Sequence, residues 1–185
     1  AVPGLTIAAP MNEPELRNMM YTALGSGHPF MIRYPRGHGE GLPWRGEKFE
    51  TLPVGRGRRL REGADVALLT VGTVGNAAAR AAGRAAAEGV SVAHYDLRFV
   101  KPLDEALLDE VGRKFRRVVT VEDGSLRGGV GEAVAAFFNG RGYDVRVQRL
   151  GIGDEWVEHG TPGQLYALCG YDEEGILRAL LDTRA

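Results

Sequence analysis

From Gly63 onward, apolar runs of strand length alternate with segments of helical period, and this alternation constrains the chain more than any single motif. "VALLTV" (66–71) reads as a strand, "NAAARAAGRAAAEG" as a helix closed by Gly89, and "VSVAHYD" as a strand. "DEALLDEVGRKF" then reads as a helix, "RVVTVED" as a strand, "GEAVAAFFNG" as a helix and "VRVQRLG" as a strand. Two closing helices fall near 162–169 and 172–183. Strands interleaved with helices of this length require an α/β fold, a mostly parallel sheet covered on both faces. With 44% hydrophobic and 25% charged residues the chain can bury such a sheet in an ordinary core. Residues 64–185 thus form one small domain.

Residues 1–36 follow the same grammar but stop too soon. "LTIAAP" and "PFMIRY" read as strands, separated by a helix that Asn12 caps three residues before Glu15. Leu16, Met19, Met20, Ala23 and Leu24 recur at helical spacing, which predicts an apolar inner face. A strand–helix–strand crossover is too small to make its own core. Residue 1 is not methionine and a strand is soon under way, so the chain reads as the tail of a longer polypeptide. Residues 37–63 hold seven glycines and two prolines. They read as an interdomain linker with a strand around Phe49–Val54. The arginines of "GRGRRLREG" are either a polyanion site or the charges of an exposed linker.

Several function classes drop out. A formal net charge of -1 gives no global attraction for nucleic acid or an anionic membrane. The single cysteine, Cys169, fits a reducing, cytoplasmic setting, and no apolar run is long enough to span a membrane. "VGTVGNAAA" lacks the close-approach glycine of a dinucleotide fingerprint, and P-loop, HExxH and GxSxG patterns are missing. "LRGGVGEA" is either a tight turn packed on a strand or an anion-binding helix start. His28, His38, His94 and His159 have no metal-ligand spacing, so no metal site is expected within this chain. His94 lies inside a strand, as a core or sheet-face residue, and His159 in a polar loop. Asp96, Glu122 and Asp123 stand at strand ends, where α/β sheets bind ligands, although capping or interface hydrogen bonds explain them equally.

"MIRYPRGHGEGLPW" (31–44) poses the sharper question. Arg33, within the strand, is expected to find an ion pair at the sheet face or edge. Arg36 follows Pro35 at the carboxyl end of the strand, where the backbone is restricted and ligand crevices open. Its guanidinium is either a linker charge facing water or a hook for a phosphate.

In order along the chain, "AAPMNEPELRNMMYTAL", "RYPRG", "LPVGRGRRLREG", "LRFVKPLDEALL", "VTVEDGSLRGGVGEAV" and "GYDEEGILRALL" resemble the C-terminal part of the 1-deoxy-D-xylulose-5-phosphate synthases, a family of the transketolase superfamily. The resemblance implies that residues 1–36 end a pyrimidine-binding domain, 37–63 link, and 64–185 form a transketolase C-terminal domain. It implies a transferase that joins pyruvate to D-glyceraldehyde 3-phosphate with loss of CO2, using thiamine diphosphate and Mg2+, toward isoprenoid precursors, thiamine and pyridoxal. It assigns the second arginine of "RYPRG", Arg36, to the acceptor phosphate; Arg33, in the same motif, is a candidate supporting residue. It places the cofactor ligands and the catalytic glutamate in an N-terminal portion not present in this sequence, so no catalytic residue is expected here and the chain alone is expected to be inactive. It also implies a homodimer. Two readings compete: the beta subunit of a 2-oxo acid dehydrogenase, which needs no phosphate hook, and a non-catalytic assembly module of the same fold.

Overall fold

The computed structural model describes residues 2–182. Its centre is β4 (Val66–Val71), an unbroken apolar run buried along its whole length. Such a run is stable only with protein on both faces, and the sheet around it supplies that setting. β5 (Val92–Asp96) and β7 (Arg117–Ser125) flank β4 in parallel, β8 (Arg146–Ile152) pairs in parallel beyond β7, and β3 (Arg58–Arg61) closes the other edge antiparallel to β5. The strand order is β3-β5-β4-β7-β8.

Side chains alternate between the two layers, as a strand requires. Val66, Leu68, Val119 and Val121 face α2 (Val74–Ala87) and α6 (Glu173–Leu181). Ala67, Leu69 and Val118 face α3 (Glu105–Lys114) and α4 (Val130–Gly140). Small side chains at Ala78, Ala81, Ala82 and Ala85 let α2 sit close against both the sheet and α6. Arg80 reinforces that contact through Glu173 at 2.8 Å. The short α5 (Pro162–Leu168) buries none of its residues and is fixed by the reciprocal capping box of Thr161 and Gln164. Both closing helices thus lie where the sequence puts them, and residue 183 of the second lies outside the described residues.

A second sheet stands beside the first. β1 (Thr6–Ala8) and β2 (Phe30–Ile32) pair in parallel across the crossover helix α1 (Glu13–Gly25). On its other side β1 pairs antiparallel with β6 (Phe99–Lys101), a strand that leaves β5 through Leu97 and Arg98. Arg98 makes this turn at φ 57, a region that costs a non-glycine residue energy and must be held by its surroundings. Its N–H donates to Asp96 Oδ1 at 3.1 Å, and Ala9 N donates to its carbonyl at 2.8 Å.

Three sequence expectations are corrected. No strand forms over Phe49–Val54; the strand of the glycine-rich segment is β3, further on. Three of its four arginines are not free linker charges, because each finds a carboxylate, while Arg61 is exposed. Arg58 pairs with Glu15 at 2.8 Å and with Asp96 at 3.1 Å, Arg59 with Glu110 at 3.0 Å, and Arg56 with Asp104 at 3.1 Å. The third concerns α1, which turns Glu15, Asn18, Met19 and Thr22 inward while Met20, Tyr21 and Leu24 are exposed. The polar groups go inside because partners wait there. Thr22 Oγ1 accepts from Leu52 N at 2.8 Å, and Glu15 accepts from Met11 N at 3.0 Å and Arg98 Nε at 2.7 Å.

His94, as expected, is a buried sheet residue, its Nε2 2.9 Å from Thr70 Oγ1. Burial first, then the charges of Arg58 and Arg61, push its pKa from 6.5 down to about 4. The unfolded chain therefore takes up this proton at a pH where the fold refuses it. His94's contribution to stability is complete above pH 6.5 and is lost as pH falls from 6.5 toward 4. Asp96 shifts the other way: burial and then the Glu15 charge raise its pKa, against Arg58 and Arg98, so its contribution declines as pH rises. Asp96 titrates in the parent and in His94→Gln alike, so comparing the two isolates the histidine. From about pH 7.5 to about pH 5 the parent should lose about 2 kcal/mol more than His94→Gln in denaturant unfolding. Equal acid losses would contradict this account.

Candidate functional site

The stretch that raised the question in the sequence lies where the carboxyl ends of the two sheets meet. β2 ends at Ile32, and Arg33 makes one further rung by donating its N–H to Ala8 O at 2.8 Å. The Arg33 guanidinium crosses to the end of β7 and donates through Nη2 to the carbonyl oxygen of Asp123. The expected ion pair is thus a hydrogen bond to backbone, which ties this segment to the large sheet without consuming a carboxylate.

Arg36 stands three residues further on, past Pro35, in the wall of two cavities. The larger, about 560 Å³, lies between Pro10 and Met11 just past β1, the first turn of α1 and the start of α2 at Thr73 and Asn76. The smaller, about 250 Å³, shares Arg36, Tyr166 and Tyr171 and adds Asp123 and Cys169. No carboxylate of the described residues lies within ion-pair distance of Arg36. Arg80, which lines the larger cavity, is already held by Glu173. Arg36 is thus an uncommitted guanidinium at a ligand-sized opening. Thr73, Val74 and Asn76 at the start of α2 line the same opening, and Thr73 makes no side-chain capping hydrogen bond.

Asp123 forms the opposite corner. Its Oδ1 accepts from Tyr171 Oη at 2.9 Å and its Oδ2 from Tyr166 Oη at 3.2 Å. Burial and then Asp123 itself raise the pKa of both phenols, which keeps them protonated as donors. The carboxylate is therefore fixed and largely satisfied.

The other strand-end acids are not at the cavities. Glu122 turns inward and accepts from Val130 N and Gly131 N, both at 2.8 Å, at the start of α4. The protein's own carboxylate thus occupies the helix start of "LRGGVGEA" and leaves it unavailable to an outside anion. Gly131 is needed there because a side chain would strike Thr120. Asp96 is buried against Arg58. Of the histidines, His38 lines the larger cavity. His28 bonds Thr6 and Ser26, and His159 is exposed. Among the described residues no group of three or more His, Cys, Asp or Glu could hold a metal ion. With Glu122 across α4 as well, these residues do not fit a metal-bound diphosphate. Sequence reasoning missed Glu13, Tyr166 and Tyr171; Glu13 shows only as an acid in the first turn of α1, Tyr166 lies within α5, and Tyr171 stands between α5 and α6.

A family model described as the transketolase C-terminal domain matches residues 55–176, so it takes in β3 as well as the alternating region. Over 185 residues the chain is 54% identical to the 1-deoxy-D-xylulose-5-phosphate synthase of Bacteroides fragilis, covering 99% of this chain and 28% of that protein. It is 53% identical to the protein of that name from Bacteroides thetaiotaomicron, over 97% of this chain and 28% of the relative. The chain therefore spans little more than a quarter of the length of these curated relatives. A solved structure described as a split-gene transketolase, an inactive beta4 tetramer, superposes with a TM-score of 0.85 at 29% identity, over 97% of this chain and 58% of that one. Five strands with one antiparallel edge, helices on both faces and a family match over more than half of the sequence agree: this chain belongs to the transketolase C-terminal domain family.

Proposed function

We propose that the chain is the C-terminal part of a 1-deoxy-D-xylulose-5-phosphate synthase, and that Arg36 holds the phosphate of glyceraldehyde 3-phosphate while pyruvate supplies the two-carbon unit. The observation that carries this reading is the uncommitted Arg36 guanidinium at the meeting point of two cavities. A phosphate so held supplies binding energy remote from the reacting carbon, which orients the aldehyde. Arg33 supports the site by anchoring the segment to Asp123. Residues 1–36 are, on this reading, the close of a pyrimidine-binding domain, 37–63 the link, and 64–185 the C-terminal domain. Thiamine diphosphate and Mg2+ belong to the remainder of a homodimeric synthase, and the chain alone is inactive. The inactive assembly of the split-gene transketolase supports that last point. A cytoplasmic setting agrees with helices too short or too polar to cross a membrane among the described residues. The relatives named above carry the synthase name, which favours this reading over a 2-oxo acid dehydrogenase subunit.

The test uses the full-length protein that carries this chain. Release of CO2 from pyruvate should depend on glyceraldehyde 3-phosphate, and unphosphorylated glyceraldehyde should be used at least about tenfold less efficiently, the loss of one charge-assisted contact. Equal use of the two aldehydes would remove the phosphate hook. Turnover that instead needs a lipoyl acceptor would favour the dehydrogenase.

A further inference from the structure

The segment that carries Arg36 is gripped on both sides. Upstream, Arg33 fixes it through Ala8 and Asp123. Downstream, Glu13 in the first turn of α1 reaches across the larger cavity's wall, and its Oε1 accepts from Gly41 N at 2.7 Å. Backbone N–H groups of Glu13 itself and of Gly41, with smaller contributions from Glu40 and Leu42, hold its carboxyl below the ordinary value against the effect of burial. Gly39 lies so close that any Cβ there would overlap the Glu13 side chain from Cγ to Oε1. The backbone of Gly39 is not in the left-handed region. What position 39 requires is therefore room for the carboxylate, not a special conformation.

We propose that Glu13 is a positioning residue for Arg36: its carboxylate latches the 39–41 segment and so holds Arg36 at the cavity, setting affinity for the phosphorylated acceptor. The inference rests on the phosphate-binding reading of Arg36. Charge alone argues for the opposite effect, because a carboxylate lining an anion site repels the anion. The sign of the change on removing Glu13 therefore separates a latch from a bystander.

The experiment is steady-state kinetics of the full-length protein, with glyceraldehyde 3-phosphate varied at saturating pyruvate. Glu13→Ala should raise KM about fivefold with kcat within about twofold, as expected when a supporting contact slackens a binding group. Glu13→Gln keeps an acceptor oxygen for Gly41 N and should recover most of the loss. Gly39→Ala should displace the carboxylate and raise KM by a similar factor, and it gives the same readout should alanine at 13 weaken α1. In the Glu13→Ala background nothing remains to displace, so adding Gly39→Ala should cost nothing more. Additive effects of those two changes would overturn the latch. An unchanged or lowered KM in Glu13→Ala, with Arg36→Ala impaired, overturns this inference alone. No effect of Arg36→Ala overturns both readings.

Discussion

Glu15→Ala should destabilise the chain by about 3 to 5 kcal/mol, the range for removing one partner from a buried ion pair. The side chain is 4% exposed and its Oε1 meets Arg98 Nε at 2.7 Å and Arg58 Nη2 at 2.8 Å. Among the described residues its loss leaves Arg98 with no other carboxylate within ion-pair distance, and it removes the acceptor for Met11 N. Arg98 is also the residue at φ 57, so the change strikes a turn already held against its own preference. Arg58 is less affected, because Asp96 remains and is relieved of a neighbouring negative charge. Glu15→Gln, which keeps an acceptor without the charge, should fall between parent and alanine. The measurement is denaturant unfolding at neutral pH, and a loss under about 1 kcal/mol would mean that water replaces the carboxylate at little cost.

Arg36→Ala in the full-length protein should raise KM for glyceraldehyde 3-phosphate by an order of magnitude or more, about 1.5 to 3 kcal/mol for a charge-assisted contact. The effect on kcat should be smaller, since the residue grips a group remote from the reacting carbon in ground and transition states alike. Arg36→Lys retains the charge without the planar fork and should recover part of the affinity. Stability should hardly change, because Arg36 is exposed and has no ion pair with any of the described residues to lose. An unchanged KM in the folded variant would end the assignment.

The sequence made the alternating core legible because each buried strand and each helix carries its own period. It concealed what depends on partners far along the chain. β6 is three residues, "FVK", too short to show a period, and it is a strand because β1 offers an edge. β3 looked like linker because its arginines are charged, yet Glu15 and Asp96 pair with Arg58 and Glu110 with Arg59. α1 departed from the rule that the inward face is apolar, since Glu15 and Thr22 find donors inside beside the buried Met19. The place of Arg36 beyond a strand's carboxyl end was readable, and its freedom from carboxylates was not. Nor could local pattern reveal that Glu13 returns to Gly41 across 28 positions.

The pairing of β1 with β6 bears on how a gene for such a chain could be divided. From Arg33 to Gly57 the backbone forms no strand or helix, while β6, encoded far downstream, hydrogen-bonds directly to β1. Glu15 and Arg98 lock the same seam from opposite sides of that stretch. Covalent continuity is thus not what joins the two sheets. Two polypeptides interrupted near Trp44 would still meet along a shared ladder and a buried ion pair.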